Sequence, residues 1–149
     1  MIDSRELVVR TKSIFQPREA ADGIRVLITR YYPRGVKKEH FEEWVQPLSP
    51  SPTLLFKYKQ GECDWNGFKV NFLLELRENI DSLDAIYALN EAVKSTDITL
   101  LCYEKDGQPC HRHLVKDLIE KPSLLWSFLE PKDTDNQERV KIPRLIANK

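Results

Sequence analysis

Runs of consecutive apolar residues predict three β-strands along the chain. They lie at residues 6–11, 24–30 and 98–103. In the second run, Ile24 and residues 26–28 are apolar, a nearly continuous pattern that is typical of a strand covered on both faces. A fourth strand is predicted at residues 140–146, where Pro143 favours a position at the edge of a sheet.

Apolar residues at helical spacing predict helices in the segments between and after these strands. The predicted helices are residues 37–46, a short helix beginning at Pro52, one capped by Asp64, one beginning at Asp81 or Ser82, residues 110–120, and residues 123–129. Phe41, Trp44 and Val45 form an apolar stripe that places Trp44 in the core. Ser51 is the expected N-cap of the helix that begins at Pro52, because serine accepts backbone N–H bonds and proline fits the first helical position.

Strands separated by helices predict an α/β fold: a single-domain sandwich with a short, mainly parallel sheet flanked by helices. The connection between the second and third strands is long and rich in helix, as parallel pairing requires. A chain of 149 residues fits one domain, so residues 1–149 are expected to form a single unit. Residues 130–149 are mostly polar at their start and could be a loose C-terminal extension of it.

Composition narrows the range of functions. The 23 basic residues equal the 23 acidic residues, which argues against bulk capture of nucleic acid or an acidic membrane but leaves room for a local basic pocket. The longest apolar runs are far shorter than the roughly 20 residues that span a bilayer. The amino-terminal residues lack the apolar core of a secretory signal. We therefore expect a cytoplasmic protein that does not contact membranes.

Arginine, cysteine and histidine residues collect at two predicted strand ends. These are candidate sites, because ligands bind beyond the carboxyl ends of strands in open α/β sheets. At the first, Arg30 and Arg34 flank a turn that contains Pro33 and Gly35. Paired arginines suit bidentate capture of a phosphate or carboxylate. Alternatively, they could form ordinary surface ion pairs. The candidate partners for such pairs are Glu39, Glu42 and Glu43.

The second strand end leads from Cys102 into the helix at residues 110–120. A helix beginning at Cys110 offers its backbone N–H groups and its dipole to an anion, and the same field favours the thiolate form of Cys110. Helical spacing puts His111 at the centre of the apolar stripe, with Arg112 on its flank. His111 could therefore be a neutral, hydrogen-bonded core residue, and Cys102 a small buried one.

A metal site is the third option at this strand end. Cys102, Cys110, His111 and His113 include the ligand types of a zinc site. However, His111 and His113 are predicted to point to opposite faces of their helix, so we expect no metal there. The three cysteines are an odd number without a C-x-x-C pair, which disfavours a disulfide framework or a zinc ribbon. No glycine-rich phosphate loop occurs, and no cofactor is expected.

Several segments resemble the domain-of-unknown-function family numbered 488. They span roughly residues 7–119 and are specific in combination: residues 25–38, Trp44, residues 48–51, 72–76 and 99–102, and the triplet Cys110-His111-Arg112. The resemblance implies a small α/β sandwich with a short, mainly parallel sheet, and it brings no established activity. It marks these motif positions: Arg30, Pro33, Arg34, Gly35, Cys102, Cys110, His111 and Arg112. Tyr32 departs from the pattern, because the family often has tryptophan there.

Two functional hypotheses remain. The first is a pocket for a small anionic ligand, of phosphate or nucleotide type, with or without catalysis. Its ligand-binding residues would be Arg30, Arg34, Cys102, Cys110, His111 and Arg112. Any nucleophile would be Cys110, and Glu104 or His111 would carry the proton. This hypothesis requires Arg34 and Arg112 on the same side of the sheet. The alternative is a non-catalytic module that binds nucleic acid or a protein partner, with Tyr31 or Tyr32 stacking on a base.

Overall fold

One parallel sheet organises the chain in the computed structural model, which describes residues 8–103 and 110–127. Its strands are β1 (Val9–Ser13), β2 (Ile24–Leu27), β3 (Glu43–Trp44) and β4 (Ile98–Cys102). The strand order is β1-β4-β2-β3, and all three pairings are parallel. The fully buried β4 lies between β1 and β2, so the predicted α/β fold with a short parallel sheet is confirmed.

Helices fill most of the remaining described chain. They are α1 (Pro52–Lys59), α2 (Trp65–Arg77), α3 (Ile80–Ala92), α4 (His111–Glu120) and α5 (Leu124–Ser127), with 3₁₀ turns at Ala20–Asp22, Lys38–His40 and Gln46–Leu48. The predicted caps Ser51 and Asp64 are confirmed, since each side chain accepts a backbone N–H in the first turn of its helix. In α3, Asn79 is the cap, so this helix begins before the predicted Asp81 or Ser82.

The two faces of the sheet are covered differently. On the side that we call the helical face, Val26, Ile28 and Leu100 pack in a large core to which all five described helices contribute. On the opposite side, the loop face, Leu27 and Leu101 form a small core with Ile14. This core is covered by Val36 and Phe41, which precede β3. Alternation of side chains along β2 and β4 therefore separates the two cores.

The predicted helix at residues 37–46 is wrong. This segment contains one 3₁₀ turn and then β3, which lies at the edge of the sheet beside β2. Its backbone is held by bonds from Glu42 N to Arg25 O (2.9 Å) and from Val45 N to Leu27 O (2.8 Å). Trp44 is exposed rather than in the core, and its indole donates to Thr29 O at 2.8 Å. Pairing with a distant strand overrides the local helical spacing.

The other predicted elements shift by a few residues or lie outside the described residues. The first strand begins at Val9, later than predicted, and the last helix is confirmed at Leu124–Ser127. Residues 128–129, the strand predicted at 140–146 and the extension predicted at 130–149 are outside the described residues. Within residues 8–103 and 110–127, no helix is both long enough and apolar enough to cross a membrane.

Buried charges on the loop face form what we call the arginine–aspartate network, made of Lys12, Asp22 and Arg25. The Arg25 and Asp22 side chains are 0% and 1% exposed, and their Nη1 and Oδ2 atoms are 2.7 Å apart. Lys12 Nζ lies 2.8 Å from the other oxygen of Asp22. The remaining Arg25 N–H groups donate to backbone carbonyls of Gln16, Pro17 and His40. The network thus fixes the loops that cover this face.

The protonation of this network follows from its contacts. Burial alone would raise the pKa of Asp22, but hydrogen bonds from Lys12, from the Glu19 backbone and from Arg25 outweigh it and hold this pKa below its usual value. Burial alone would lower the pKa of Lys12, but its bonds to Asp22 and Glu19 outweigh it and raise this pKa. Both groups are therefore held in their charged forms.

Candidate functional site

A cleft of about 600 Å³ opens beyond the carboxyl ends of β2 and β4. Three parts of the chain line it: the segment after β2, the segment containing α1, and the junction of β4 with α4. The lining residues are Thr29, Arg30, Tyr31, Pro50, Pro52, Thr53, Leu55, Phe56, Lys59, Cys102, Tyr103 and His111. The cleft therefore occupies the position at which parallel α/β sheets bind ligands.

Hydrogen bonds hold the wall that follows β2 in place. The Thr29 hydroxyl donates to Tyr31 O at 2.7 Å, and Gln46 Nε2 donates to Arg30 O at 2.6 Å. The Tyr103 hydroxyl donates to Tyr31 O at 3.1 Å and so joins this wall to the end of β4. A wall fixed in this way is ordered before any ligand arrives, which lowers the entropic cost of binding.

Arg30 supplies positive charge to the cleft. Its Nε donates to Pro50 O at 2.9 Å, and its Nη2 donates to Ser49 O at 3.2 Å. These partners are neutral carbonyls, and among the described residues Arg30 has no carboxylate partner, in contrast to the alternative of a surface ion pair. Lys59, at the last residue of α1, is a second cation in the lining.

Two cysteines and a histidine meet at the floor of the cleft, in what we call the thiol–imidazole cluster: Cys102, Cys110 and His111. Their side chains are buried, with 2%, 3% and 7% exposure. His111 Nε2 lies 2.6 Å from Ile28 O, and His111 Nδ1 lies 3.7 Å from each of the two Sγ atoms. Because a carbonyl oxygen can only accept, Nε2 carries the proton of this bond. In the neutral ring, Nδ1 therefore turns its lone pair toward the two sulfurs.

The start of α4 positions this cluster. Cys110 is the N-cap residue in an extended conformation, and its Sγ accepts the backbone N–H of Arg112 at 3.5 Å. The ring of Phe72 in α2 lies edge-on to His111, 5.4 Å between centroids, and limits its rotation. The predictions of a helix start beside Cys110 and of a buried, hydrogen-bonded His111 are confirmed.

The cluster is accessible from two sides. Cys102 and His111 line the main cleft, whereas Cys110 and His111 line an adjoining cavity of about 250 Å³ beside Trp65 and Phe68. Leu55 and Lys59 border both spaces. A thiol beside an imidazole whose other nitrogen is fixed by a third group is the arrangement of a cysteine nucleophile with its base. Two thiols and an imidazole nitrogen are also ligands for a soft metal ion.

The predicted clamp of three arginines is wrong. Arg34 is exposed, and the residues that follow it, Gly35 and Val36, lie against the loop face. Arg112 is fully buried in α4 on the helical face and is not among the lining residues of the cleft. Of the three arginines, only Arg30 lines the cleft. Glu104, the other candidate proton carrier, lies outside the described residues.

Several residues of the cleft have no signal in the sequence. Thr53, Phe56 and Lys59 come from α1, which ordinary capping and apolar spacing predict as a plain surface helix. They approach Cys102 and His111 only because the chain folds α1 against the ends of distant strands. Tyr31 lines the cleft as expected of a residue beside Arg30, but Tyr32 packs against Phe41 and Trp44 instead.

Comparison with known proteins agrees with the resemblance in the sequence. A family model described as the active DUF488-N3 subclade matches residues 9–123. The uncharacterised protein YeaO of Escherichia coli K12 is 28% identical over 113 residues, which cover 74% of this chain and 96% of that protein. No solved structure matches. Since the family model covers most of the chain, including β1 to β4 and the whole thiol–imidazole cluster, the chain belongs to the DUF488 family.

Proposed function

We propose that the protein binds a small anionic ligand, of phosphate or nucleotide type, in the cleft beyond β2 and β4. In this proposal Arg30 and Lys59 replace the predicted clamp of Arg30, Arg34 and Arg112, so it no longer requires Arg34 and Arg112 on the same side of the sheet. The observation that carries this proposal is the combination in one cleft of two cations, exposed aromatic rings and the thiol–imidazole floor. A volume of about 600 Å³ also suits a small-molecule ligand, since such pockets typically measure roughly 300–1,000 Å³.

Charge favours an anion in this cleft. The guanidinium of Arg30 is anchored by two carbonyl oxygens, so it can receive an anion at its remaining N–H groups without first being ordered. Lys59 adds a second positive charge. Pro52 and Thr53 lie in the first turn of α1 and line the cleft, so the positive end of the α1 dipole adds to the charge of Arg30, while Lys59 stands at the other end of the helix.

The aromatic wall favours a ligand that also carries a flat ring. Tyr31 is 58% exposed and Phe56 is 60% exposed, and both line the cleft. Large exposed rings beside cations are suited to stacking on a nucleobase while the phosphate is held by charge. This pairing supports a nucleotide over inorganic phosphate.

Covalent chemistry in this site would fall to the thiol–imidazole cluster. His111 Nδ1 lies 3.7 Å from both sulfurs and would take the proton of the attacking thiol, while Ile28 O holds the ring in position. Cys102 faces the main cleft, and Cys110, the nucleophile expected from the sequence, lines the adjoining cavity. Enzymatic activity is therefore an extension of the proposal, and ligand binding does not depend on it.

Thermal unfolding with a panel of ligands tests the proposal. The panel contains phosphate, sulfate, mononucleotides and short oligonucleotides, and it is applied to wild type, Arg30→Gln and Arg34→Gln. A ligand at one hundred times its Kd adds about 2.7 kcal/mol to the free energy of unfolding, which raises the Tm by several degrees. We expect this shift to disappear in Arg30→Gln and to persist in Arg34→Gln.

Arg34→Gln is a matched control, because it removes the same charge four residues along but outside the cleft. Since Arg30→Gln also removes two bonds to carbonyls, Lys59→Gln serves as a second cleft variant and should reduce the shift without affecting those bonds. Absence of a shift with every ligand, or equal loss in Arg34→Gln, contradicts the proposal.

A non-catalytic interaction module is the second candidate, favoured by the exposed rings of Tyr31 and Phe56. On this alternative, oligonucleotides raise the Tm and mononucleotides do not. Replacement of Phe56 by alanine would then weaken oligonucleotide binding more than Lys59→Gln, because stacking contributes about 1–3 kcal/mol per base.

A further inference from the structure

We propose that Cys102, Cys110 and His111 bind a zinc ion at the floor of the cleft. The two Sγ atoms and a ring nitrogen of His111 all lie within 4.8 Å of one another, and all three side chains are buried. The proposal goes beyond the binding of an anionic ligand and does not depend on it, since the metal binds to the protein's own side chains.

The distances fit a tetrahedral ion. Zinc binds thiolate at about 2.3 Å and imidazole at about 2.0–2.1 Å, which at the tetrahedral angle separates sulfur from nitrogen by about 3.6 Å. His111 Nδ1 lies 3.7 Å from Cys102 Sγ and 3.7 Å from Cys110 Sγ. Both distances from Nδ1 to a sulfur therefore match those expected when one zinc ion binds all three atoms.

Hydrogen bonding alone explains this convergence less well. Neutral Nδ1 has a single lone pair, which accepts one S–H bond along its axis. Two sulfurs at equal distance from this atom cannot both donate to it in good geometry. One cation between the three atoms satisfies the lone pair and both thiolates together.

The surroundings are those of metal ligands. A zinc-bound histidine usually donates its other ring N–H to a carbonyl or carboxylate, which fixes the ring, and His111 Nε2 lies 2.6 Å from Ile28 O. Cys110 Sγ accepts the Arg112 backbone N–H at 3.5 Å, a bond that stabilises a thiolate ligand. Both partners are backbone groups, one directly after β2 and one in α4, so the ligands are positioned by the fold itself.

A ligand set of two cysteines and one histidine leaves a fourth coordination position. Cys102 and His111 line the main cleft, so this position lies toward the space where we place the anionic ligand. Sites with three protein ligands and one open position are typical of catalytic rather than structural zinc. The sequence argued against a metal because His111 and His113 point to opposite faces of their helix. That argument does not apply to Cys102, Cys110 and His111, since His113 is not one of the three ligands.

Titration of metal-free protein with Co²⁺, followed by displacement with Zn²⁺, tests this site. We expect one equivalent of Co²⁺ to give thiolate-to-metal charge-transfer absorption and the intense visible bands of a tetrahedral ion, both lost on addition of Zn²⁺. Cys102→Ser and Cys110→Ser should each weaken zinc binding by more than about 100-fold, since loss of even a supporting partner outside the ligand set costs roughly 10–100-fold.

Cys63→Ser is the matched control, because Cys63 is half-buried in a different cavity, beside Glu62 and Asn71. Its zinc affinity should equal that of wild type. A Co²⁺ spectrum without charge transfer, or an unchanged Kd in Cys110→Ser, overturns the proposal. If the serine variants do not fold, X-ray absorption of the zinc-loaded wild type decides: two sulfur neighbours support the site, and a shell of oxygen and nitrogen alone overturns it.

Discussion

Buried polar groups occur on both faces of the sheet, but the arginine–aspartate network and the thiol–imidazole cluster are organised in opposite ways. In the network, Arg25 and Lys12 meet the carboxylate of Asp22, and further N–H groups meet carbonyls. In the cluster, two sulfurs and one nitrogen face a common point that borders a cleft. The network joins opposite charges and backbone carbonyls, whereas the cluster brings together three uncharged side chains that are ligand types for a soft metal ion.

The two groups differ in what it costs to bury them. A buried charge costs several kcal/mol unless it is paired, so the network must be complete for the loop face to fold. Thiols and a neutral imidazole are much less costly to bury, and the cluster can remain ready for a ligand. We therefore expect changes in the network to reduce stability with little effect on binding, and changes in the cluster to do the reverse.

The largest effect on stability is expected from Asp22→Asn. This change leaves Arg25 as a buried charge without its carboxylate, which should lower the free energy of unfolding by about 3–5 kcal/mol. Urea denaturation followed by circular dichroism measures it. Glu19→Gln is the control: Glu19 also pairs with Lys12 but is exposed, so its loss should change stability by about 0.5 kcal/mol or less. Equal effects from the two variants would contradict a structural role for the network.

A smaller effect is expected at the glycine that joins the network to β2. Gly23 has φ +64°, and a Cβ there would meet the carbonyl of Asp97, so Gly23→Ala should cost about 1–3 kcal/mol. Gly35→Ala is the comparison, because Gly35 has φ +76° with no atom near the added methyl group. Both variants add a methyl group at a positive φ, but only Gly23→Ala brings it against Asp97, so its unfolding midpoint should be the lower of the two. Equal midpoints would show that the turn at Gly23 shifts to make room for the methyl group.

Cys102→Ser should be still milder in stability, about 1 kcal/mol, because the side chain changes little in size. The same variant should lose zinc binding, in contrast to Asp22→Asn, which should retain it. Unfolding curves and zinc titrations give the free energy of unfolding and the Kd for zinc of each variant. If Cys102→Ser proves as destabilising as Asp22→Asn, the cluster is part of the structural core instead.

The smallest effect expected is on the pH dependence of stability, and it is measured in acid, where the carboxylates of Asp22 and Glu42 become protonated. Although burial opposes it, hydrogen bonds hold the pKa of Asp22 below 3.8 and that of Glu42 below 4.5. A lowered pKa in the folded state contributes stability above the unfolded pKa, and this contribution is lost as pH falls through the folded value. Stability should therefore decline below about pH 4.5, with a shallower slope in Asp22→Asn. Identical slopes between about pH 2 and 6 would contradict these assignments.

The opposite sign applies to Lys12. Its pKa is raised above 10.5 by Asp22 and Glu19 despite burial, so its contribution is complete below that pH and is lost as pH rises through the folded value. The same variant, Asp22→Asn, should therefore also be less sensitive than wild type to alkaline pH.

Local patterns predict much of the fold but not the pairing of distant segments. The strands at residues 24–30 and 98–103 and the caps Ser51 and Asp64 depend on adjacent residues, and the structure confirms them. The segment at residues 37–46 has helical spacing, yet it becomes β3 because its backbone pairs with β2. A preference that is weak and local yields when a sheet edge offers hydrogen bonds.

The residues of the candidate site also differ in how far the sequence can predict them. Cys102, Cys110 and His111 are brought together because a strand end and a helix start lie close in sequence, which spacing alone can suggest. Arg34 and Arg112 share only their residue type with Arg30, and neither lines the cleft, because Arg34 is exposed in the loop after β2 and Arg112 is buried in α4. Arg25 in an otherwise apolar strand, and Lys59 in α1, acquire their roles only through contacts with distant segments.

The most direct test of the central claim, that the cleft on the helical side of the strand ends is the ligand site, is NMR titration of the ¹⁵N-labelled protein with an adenine nucleotide and with phosphate. We expect chemical-shift changes at the amides of Thr29 to Tyr31, Thr53, Cys102 and His111, and none at residues 36–41 on the loop face. Saturating additions that move no amide in the cleft, or that move the loop-face segment instead, would contradict it.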